Sequence, residues 1–273
     1  MKYLVPYDFS DISKNAVEQA IQLAITTGGD IFLLHIVKNK DDFKERERQL
    51  KDYVSQLKAS SNTTVSAHVV VGNIFTDIGK IAEYHGADLV LMGTHGVDAL
   101  QKIFGSNSVK IINHSVVPFV VIQENCKMKD IHKIVMPMSF ASESIQVLRF
   151  AVEISKAFGA EIHLIGRKQS DEWMMNKVRS NVVIAERYMN KNKVKHSVDL
   201  TDIPKGEFQQ YIIDYCAANN IDLLATTYYS DSMMPMFEKF VQHLIVNPHL
   251  IPVMCVNAQT LSKISSQFSF ITI

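Results

Sequence analysis

Ala87-Asp88-Leu89-Val90-Leu91-Met92-Gly93-Thr94-His95-Gly96, followed after eight residues by Gly105-Ser106-Asn107-Ser108, is an apolar run that ends in glycines and resumes as a helix. The run Leu89 to Met92 has the length and character of a buried strand. From Ser106 onward Val109, Ile112 and Val116 recur at helical spacing, so the stretch predicts strand, glycine loop and helix start in that order. Glycines lack the Cβ atoms that obstruct a ligand, and a helix start offers free N–H groups and a positive dipole end to an anion. Two readings stay open at this point. One is a phosphate cradle; the other is a plain strand-turn-helix connection in which glycine serves the turn and Ser106 the N-cap. No Gly-Lys-Ser/Thr triplet is present, so P-loop hydrolase chemistry has no support.

Outward from this stretch the chain reads as a tandem repeat. Tyr3-Leu-Val-Pro-Tyr-Asp-Phe-Ser and Ile134-Val-Met-Pro-Met-Ser-Phe-Ala share a pattern, with Pro6 and Pro137 standing 131 positions apart. The same offset joins Gly28-Gly29-Asp30-Ile31 to Gly159-Ala160-Glu161-Ile162. An offset of 134 joins Gly72 to Gly206, Ala87-Asp88-Leu89-Val90 to Ile221-Asp222-Leu223-Leu224, and Val117-Pro118-Phe119-Val120 to Ile251-Pro252-Val253-Met254. A period this long means two copies of one domain rather than a solenoid. The expected division is 1–125, 130–257 and a tail of 258–273, with the boundary in the charged stretch after Ile122. In the first copy the patterns predict strands near 2–6, 30–37, 64–71, 88–92 and 118–122, and helices near 11–27, 40–58, 74–85 and 106–115. Alternation of this kind gives an α/β fold, a parallel sheet covered by helices on both faces. Ligands of such sheets lie at the carboxyl ends of the strands where the strand order reverses, which puts Asp8 and Gly93 beside one cleft.

Composition narrows the function classes. The 273 residues are 47% hydrophobic, enough for a sizeable core, and 28 basic residues balance 28 acidic ones. Zero net charge argues against general attraction to nucleic acid or to an anionic membrane. Cys126, Cys216 and Cys255 are scattered, without C-x-x-C spacing, and read as buried apolar residues rather than a disulfide framework or thiolate site. Pro6 and Asp8 interrupt the N-terminal apolar run too early for a signal peptide, so a cytoplasmic location is expected. His35, His68, His85 and His114 show no metal-ligand spacing, and the charges of Lys44 to Arg48 read as a solvated helix face paired at i,i+4.

The opening Val5-Pro6-Tyr7-Asp8-Phe9-Ser10, the strand end Leu91-Met92-Gly93-Thr94-His95-Gly96 and Gly105-Ser106 with Val117-Pro118-Phe119-Val120-Val121 together resemble the universal stress protein family in a tandem arrangement. The resemblance implies two doubly wound five-stranded parallel sheets of order 3-2-1-4-5 and, in the glycine-bearing branch, ATP bound without efficient hydrolysis. It implies that Met92, Gly93 and Gly96 lie against the phosphates and that Gly105 and Ser106 hold the α/β-phosphate region, with Asn107 and Ser108 adding polar contacts. Pro6, Tyr7 and Asp8 flank the nucleoside in the same scheme, Asp8 reaching a ribose hydroxyl or a nucleotide-bound Mg²⁺, with Ile36 and Val37 near the adenine edge. The family pattern has nine residues between the second and third glycines, where this chain has the eight from Val97 to Phe104. The second copy carries Ser139 for Asp8, Thr227 for Gly93, Ser230 for Gly96, Lys239 for Gly105 and Phe240 for Ser106. Every carrier of the site is replaced there, so one nucleotide site per chain is expected, in the N-terminal half.

Three functions remain open to the sequence. The first is an ATP-binding regulatory protein of the stress response. The second is a slow ATPase or phosphotransfer enzyme, for which no base, Lys clamp or acidic cluster is identifiable beyond Asp8. The third binds no nucleotide and uses the degenerate half for a protein partner or an apolar ligand. The resemblance further implies an intrachain pseudo-dimer of the two halves through their last strands, 119–122 and 253–256, and leaves a homodimer of chains open.

Overall fold

The computed structural model describes residues 1–61, 63–94, 111–112, 115–128, 130–228 and 235–258. The chain divides into two compact units, Met1–Met128 and Lys129–Ile273. In the first unit β1 (Lys2–Pro6), α1 (Asp11–Thr27), β2 (Asp30–Val37), α2 (Phe43–Ser60), β3 (Val65–Val71), α3 (Ile74–Tyr84), β4 (Leu89–Thr94) and β5 (Phe119–Gln123) form a parallel sheet of order β3-β2-β1-β4-β5. The second unit repeats the plan. Its elements are β6 (Lys133–Met138), α4 (Leu148–Phe158), β7 (Glu161–Arg167), α5 (Glu172–Lys191), β8 (His196–Thr201), α6 (Phe208–Ala218), β9 (Leu223–Tyr228), α7 (Pro235–Ile245) and β10 (Val253–Asn257), with strand order β8-β7-β6-β9-β10. This is the 3-2-1-4-5 α/β architecture expected from the sequence.

The sequence shows why each strand takes its place. β4 opens on the apolar run Leu89–Met92 and β9 on Leu223–Ala225, and almost every residue in both strands is buried, as a strand covered by helices on both faces requires. β3 and β8 alternate buried or half-buried residues with exposed ones, which suits the last strand on that side of each sheet. In α1 the buried face carries Ile12, Ala16, Val17, Ala20, Leu23 and Ala24 at helical spacing. Ser10 caps its N-terminus by accepting from Ser13 N at 3.2 Å, and Gly28 closes it in the left-handed conformation, φ 63°. Gly159 closes α4 the same way, φ 71°. All three cysteines are buried, and burial pushes their thiols up, to about 11 for Cys126 and about 12 for Cys216 and Cys255.

Most boundaries fall within two residues of the expectation, and two differences bear on the site. The helix expected from residue 40 starts as a 3-10 turn, Lys40–Asp42, and becomes α-helical at Phe43. β4 runs two residues past the expected end and takes in Gly93 and Thr94, which pair with Ile122 and Gln123 of β5. Within each unit the central pairing is short: β1 meets β4 only at Tyr3–Leu89 and Leu4–Val90, and β6 meets β9 only at Ile134–Leu223 and Val135–Leu224.

A Cβ at Gly28 or Gly159 would meet nothing within 4 Å, so substitution there tests backbone conformation alone. Gly28→Ala and Gly159→Ala are each expected to cost about 1 kcal/mol, the penalty for a non-glycine residue in the left-handed region. Urea unfolding of the two variants measures it; unchanged midpoints would refute the capping role.

Candidate functional site

In the first unit the strand order reverses between β1 and β4, and the carboxyl ends of these two strands are where a doubly wound sheet places its ligand crevice. Asp8 stands in the turn between β1 and α1. Its Oδ1 accepts from Ser10 N at 3.1 Å and from Ser10 Oγ at 2.5 Å. Burial raises the Asp8 carboxyl, but hydrogen bonds from Ser10, Ser13 and the backbone outweigh it and hold the group below its ordinary value. Asp8 therefore supports the Ser10 cap while its side chain stays exposed at the crevice.

Gly93 has a structural reason of its own to be glycine. A Cβ there would come 2.5 Å from Ile12 Cγ2 and 2.7 Å from the Ile12 carbonyl oxygen, so the missing side chain lets the first turn of α1 press onto β4. Thr94 ends the same strand with its hydroxyl buried and without a hydrogen-bond partner among the described residues. Of the other site residues named from the sequence, Pro6 and Ile36 are half-buried, and Tyr7, Val37 and Met92 are buried. Gly96, Gly105, Ser106, Asn107 and Ser108 lie outside the described residues.

Five side chains meet beside Asp8, and of these only Tyr7 is given a site role by the sequence. Tyr7 stacks on Tyr53 of α2 with ring centroids 4.7 Å apart and planes 6° from parallel, and meets Phe9 edge-on at 5.0 Å. His35 lies edge-on to Phe9 at 4.9 Å, and its Nδ1–H donates to the Tyr7 carbonyl at 2.7 Å. The guanidinium of Arg46 caps the Phe9 ring at 5.1 Å. Burial holds the His35 imidazolium below its ordinary range and pushes the Tyr7 phenol up, with Tyr53 adding to the second shift. Phe9 itself adopts φ 69°, an uncommon conformation for an aromatic residue that turns its ring into this cluster. Arg46 is exposed and reaches over the Phe9 ring from α2, while Glu45–Arg48 and Glu47–Lys51 pair along the same helix at 2.9 and 3.2 Å.

The second unit uses the same strand ends differently. Strand register places Met138 where Tyr7 stands, Phe140 where Phe9 stands, Gly166 where His35 stands and Arg167 where Ile36 stands. Loss of the Tyr and His side chains coincides with a cavity of about 470 Å³ at the carboxyl ends of β6, β7 and β9. Phe240, which stands for Ser106, forms one wall with Phe208, their rings nearly parallel and 6.2 Å apart. Thr227 replaces Gly93, and there the helix after β6 begins with a 3-10 turn, Ser142–Ile145, whose Glu143 carbonyl accepts from Thr227 Oγ1 at 3.0 Å. Asn181 of α5 donates to the carbonyls of Ser139 and Ala141 at 2.9 Å and pins the turn that replaces the Asp8 loop. No helix among the described residues is long and apolar enough to cross a membrane, and no three metal-ligating side chains cluster among them.

The universal stress protein family model matches residues 1–123. A curated universal stress protein of Methanocaldococcus jannaschii is 26% identical over 152 residues, covering 45% of this chain and 94% of that protein. A solved universal stress protein of Archaeoglobus fulgidus aligns over 94% of this chain and 96% of its own at 16% identity, TM-score 0.68, a likeness of fold that extends through both units. A single-domain structure described as a universal stress protein in complex with cAMP aligns over 45% of this chain and 96% of its own at 21% identity, TM-score 0.39.

Because Asp8 is held below its ordinary value of 3.8, its ionised form contributes stability that is fully present above that value and is lost as pH falls through the lowered one. Asp8→Asn removes the contribution, so the variant's stability should fall less steeply below about pH 3.8 than the wild type's. Urea midpoints measured across the acid range decide it, and parallel acid limbs would count against the Asp8–Ser10 interaction. Gly93→Ala should cost about 1–3 kcal/mol by overpacking against Ile12, read from the same unfolding curves at neutral pH.

Proposed function

We propose, from the premise that residues 1–123 form a universal stress protein domain, that the chain is an ATP-binding regulatory module of the stress response with one nucleotide site, in its N-terminal unit. The observation that carries the reading is the Thr94 hydroxyl, buried at the end of β4 and without a hydrogen-bond partner among the described residues, two positions before Gly96 in the sequence. A buried hydroxyl without a partner is costly unless the loop or a ligand satisfies it. The donor set fits a nucleotide: backbone amides of Gly93, Gly96, Gly105 and Ser106 for phosphate, and the exposed Asp8 carboxylate for a ribose hydroxyl or a nucleotide-bound Mg²⁺. Asn107 and Ser108 complete the proposed phosphate contacts, as the resemblance implies.

Tyr7 and Val37 are buried, so they shape the nucleoside end by packing rather than by side-chain hydrogen bonds, with Pro6 and Ile36 as the half-exposed edge. Binding is favoured over turnover. A general base works best with a value near neutrality, whereas the Asp8 carboxylate is held low and committed to Ser10.

Calorimetry with ATP and Mg²⁺ tests the reading in the wild type and in Gly105→Lys, which imports the residue of the second half. About one ATP per chain, with binding weakened at least tenfold in a variant that melts normally, is the expected result. No saturable heat in folded wild-type protein would overturn it.

A further inference from the structure

The C-terminal cavity is built for a ligand unlike a nucleotide. We propose that it binds a single-headed carboxylate on an apolar body, of medium-chain fatty-acid type, with the head on Arg167 and the body against Phe208 and Phe240. Its volume of about 470 Å³ lies in the range of sites for small organic ligands, about 300–1,000 Å³. Among the described residues that line it, Arg167 and Lys205 carry positive charge and none is acidic.

Arg167 is the decisive residue. It is half-buried at the end of β7, where the first unit has Ile36, and it has no carboxylate partner among the described residues. Its Nη2 donates to Gln169 Oε1 at 2.7 Å and its Nη1 to the Lys168 carbonyl at 3.1 Å, both neutral acceptors. Those bonds fix the plane of the guanidinium and use two of its five N–H donors. Three donors and a full positive charge remain beside an apolar chamber, and a planar guanidinium fork matches a carboxylate bidentately. A half-buried cation left without a counter-ion carries a desolvation cost that an anionic ligand offsets.

The far wall argues against a polyphosphate. The positions that correspond to the glycine loop hold Thr227, already bonded to the Glu143 carbonyl, and Phe240, stacked on Phe208. Apolar rings face the region where a nucleotide would carry most of its charge. One anionic end and one apolar end match the lining; the proposal is independent of nucleotide binding in the first unit.

The test is calorimetry on the full chain with dodecanoate kept below its micelle concentration, alongside dodecanol as the uncharged comparison. About one dodecanoate per chain is expected, bound at least tenfold more tightly than dodecanol. Arg167→Leu should weaken dodecanoate at least tenfold and leave dodecanol unchanged. Met174→Trp, which narrows the cavity from the half-exposed start of α5, should weaken both. Equal binding of dodecanol and dodecanoate, an Arg167→Leu variant with wild-type affinity, or no saturable binding by folded wild-type protein would each overturn the proposal. Displacement of bound dodecanoate by ATP in the Gly105→Lys variant would also overturn it, since the second unit would then be taking the nucleotide.

Discussion

The short pairing of the first and fourth strands of each unit is the constraint from which the rest follows. β1 and β4 share two residue pairs, whereas β1 and β2 share five, and β6 and β9 repeat the count against six for β6 and β7. In a parallel sheet the connections leave on opposite faces where the order reverses, so the chain parts at the carboxyl ends of the two central strands. The apolar runs and helix caps hold that geometry without specifying what the parting contains. A crevice is thus an obligatory product of the topology, and its contents are free to vary with a few strand-end residues.

The two units occupy that freedom in opposite ways. The first fills the β1–β2 side of its crevice with Tyr7, Phe9, His35 and Tyr53 and presses Ile12 onto a bare Gly93. Tight packing there fixes the start of α1, with Asp8 exposed in the turn after β1 and the Thr94 hydroxyl buried at the end of β4. In the second unit a threonine at the Gly93 position needs room, and the helix after β6 starts with a 3-10 turn that accepts its hydrogen bond. Glycine has meanwhile moved to position 166, where a Cβ would come 2.7 Å from Leu200 Cδ2. A close approach to glycine thus occurs on the second strand here, against a leucine side-chain end rather than the backbone met at Gly93, and open volume appears where aromatic rings stood.

Sequence patterns conveyed the architecture well because the architecture rests on local periodicity. The limits of α1, β1 and β2 follow from apolar spacing, a serine cap and a glycine in the left-handed conformation, all within a few residues of one another. The site was less legible. Gly93 reads as a loop residue from its neighbours, yet it belongs to β4, because the reason for glycine is Ile12, 81 positions earlier. The Tyr7–Tyr53 stack joins a strand end to the third turn of a charged helix, and nothing in the helical charge pattern sets Tyr53 or Arg46 apart. The cavity is harder still to read, since it arises from what Met138 and Gly166 lack relative to Tyr7 and His35. Aligning the two halves residue by residue is the signal that would have found it.

That alignment also explains why the second unit keeps a well-formed chamber after losing every glycine of the loop. A duplicated domain with no ligand to hold would be stabilised by filling its crevice, since each buried methylene is worth about 0.8 kcal/mol. Filling is what Tyr7, His35 and Tyr53 accomplish on one side of the first crevice. The second unit instead carries an arginine at a strand end where the first has isoleucine, orients it through two neutral acceptors beside apolar walls and gives it no carboxylate partner among the described residues. Packing alone gives no reason for that exchange, because a half-buried cation costs stability where an aliphatic side chain would add it. Recognition of an anion gives one.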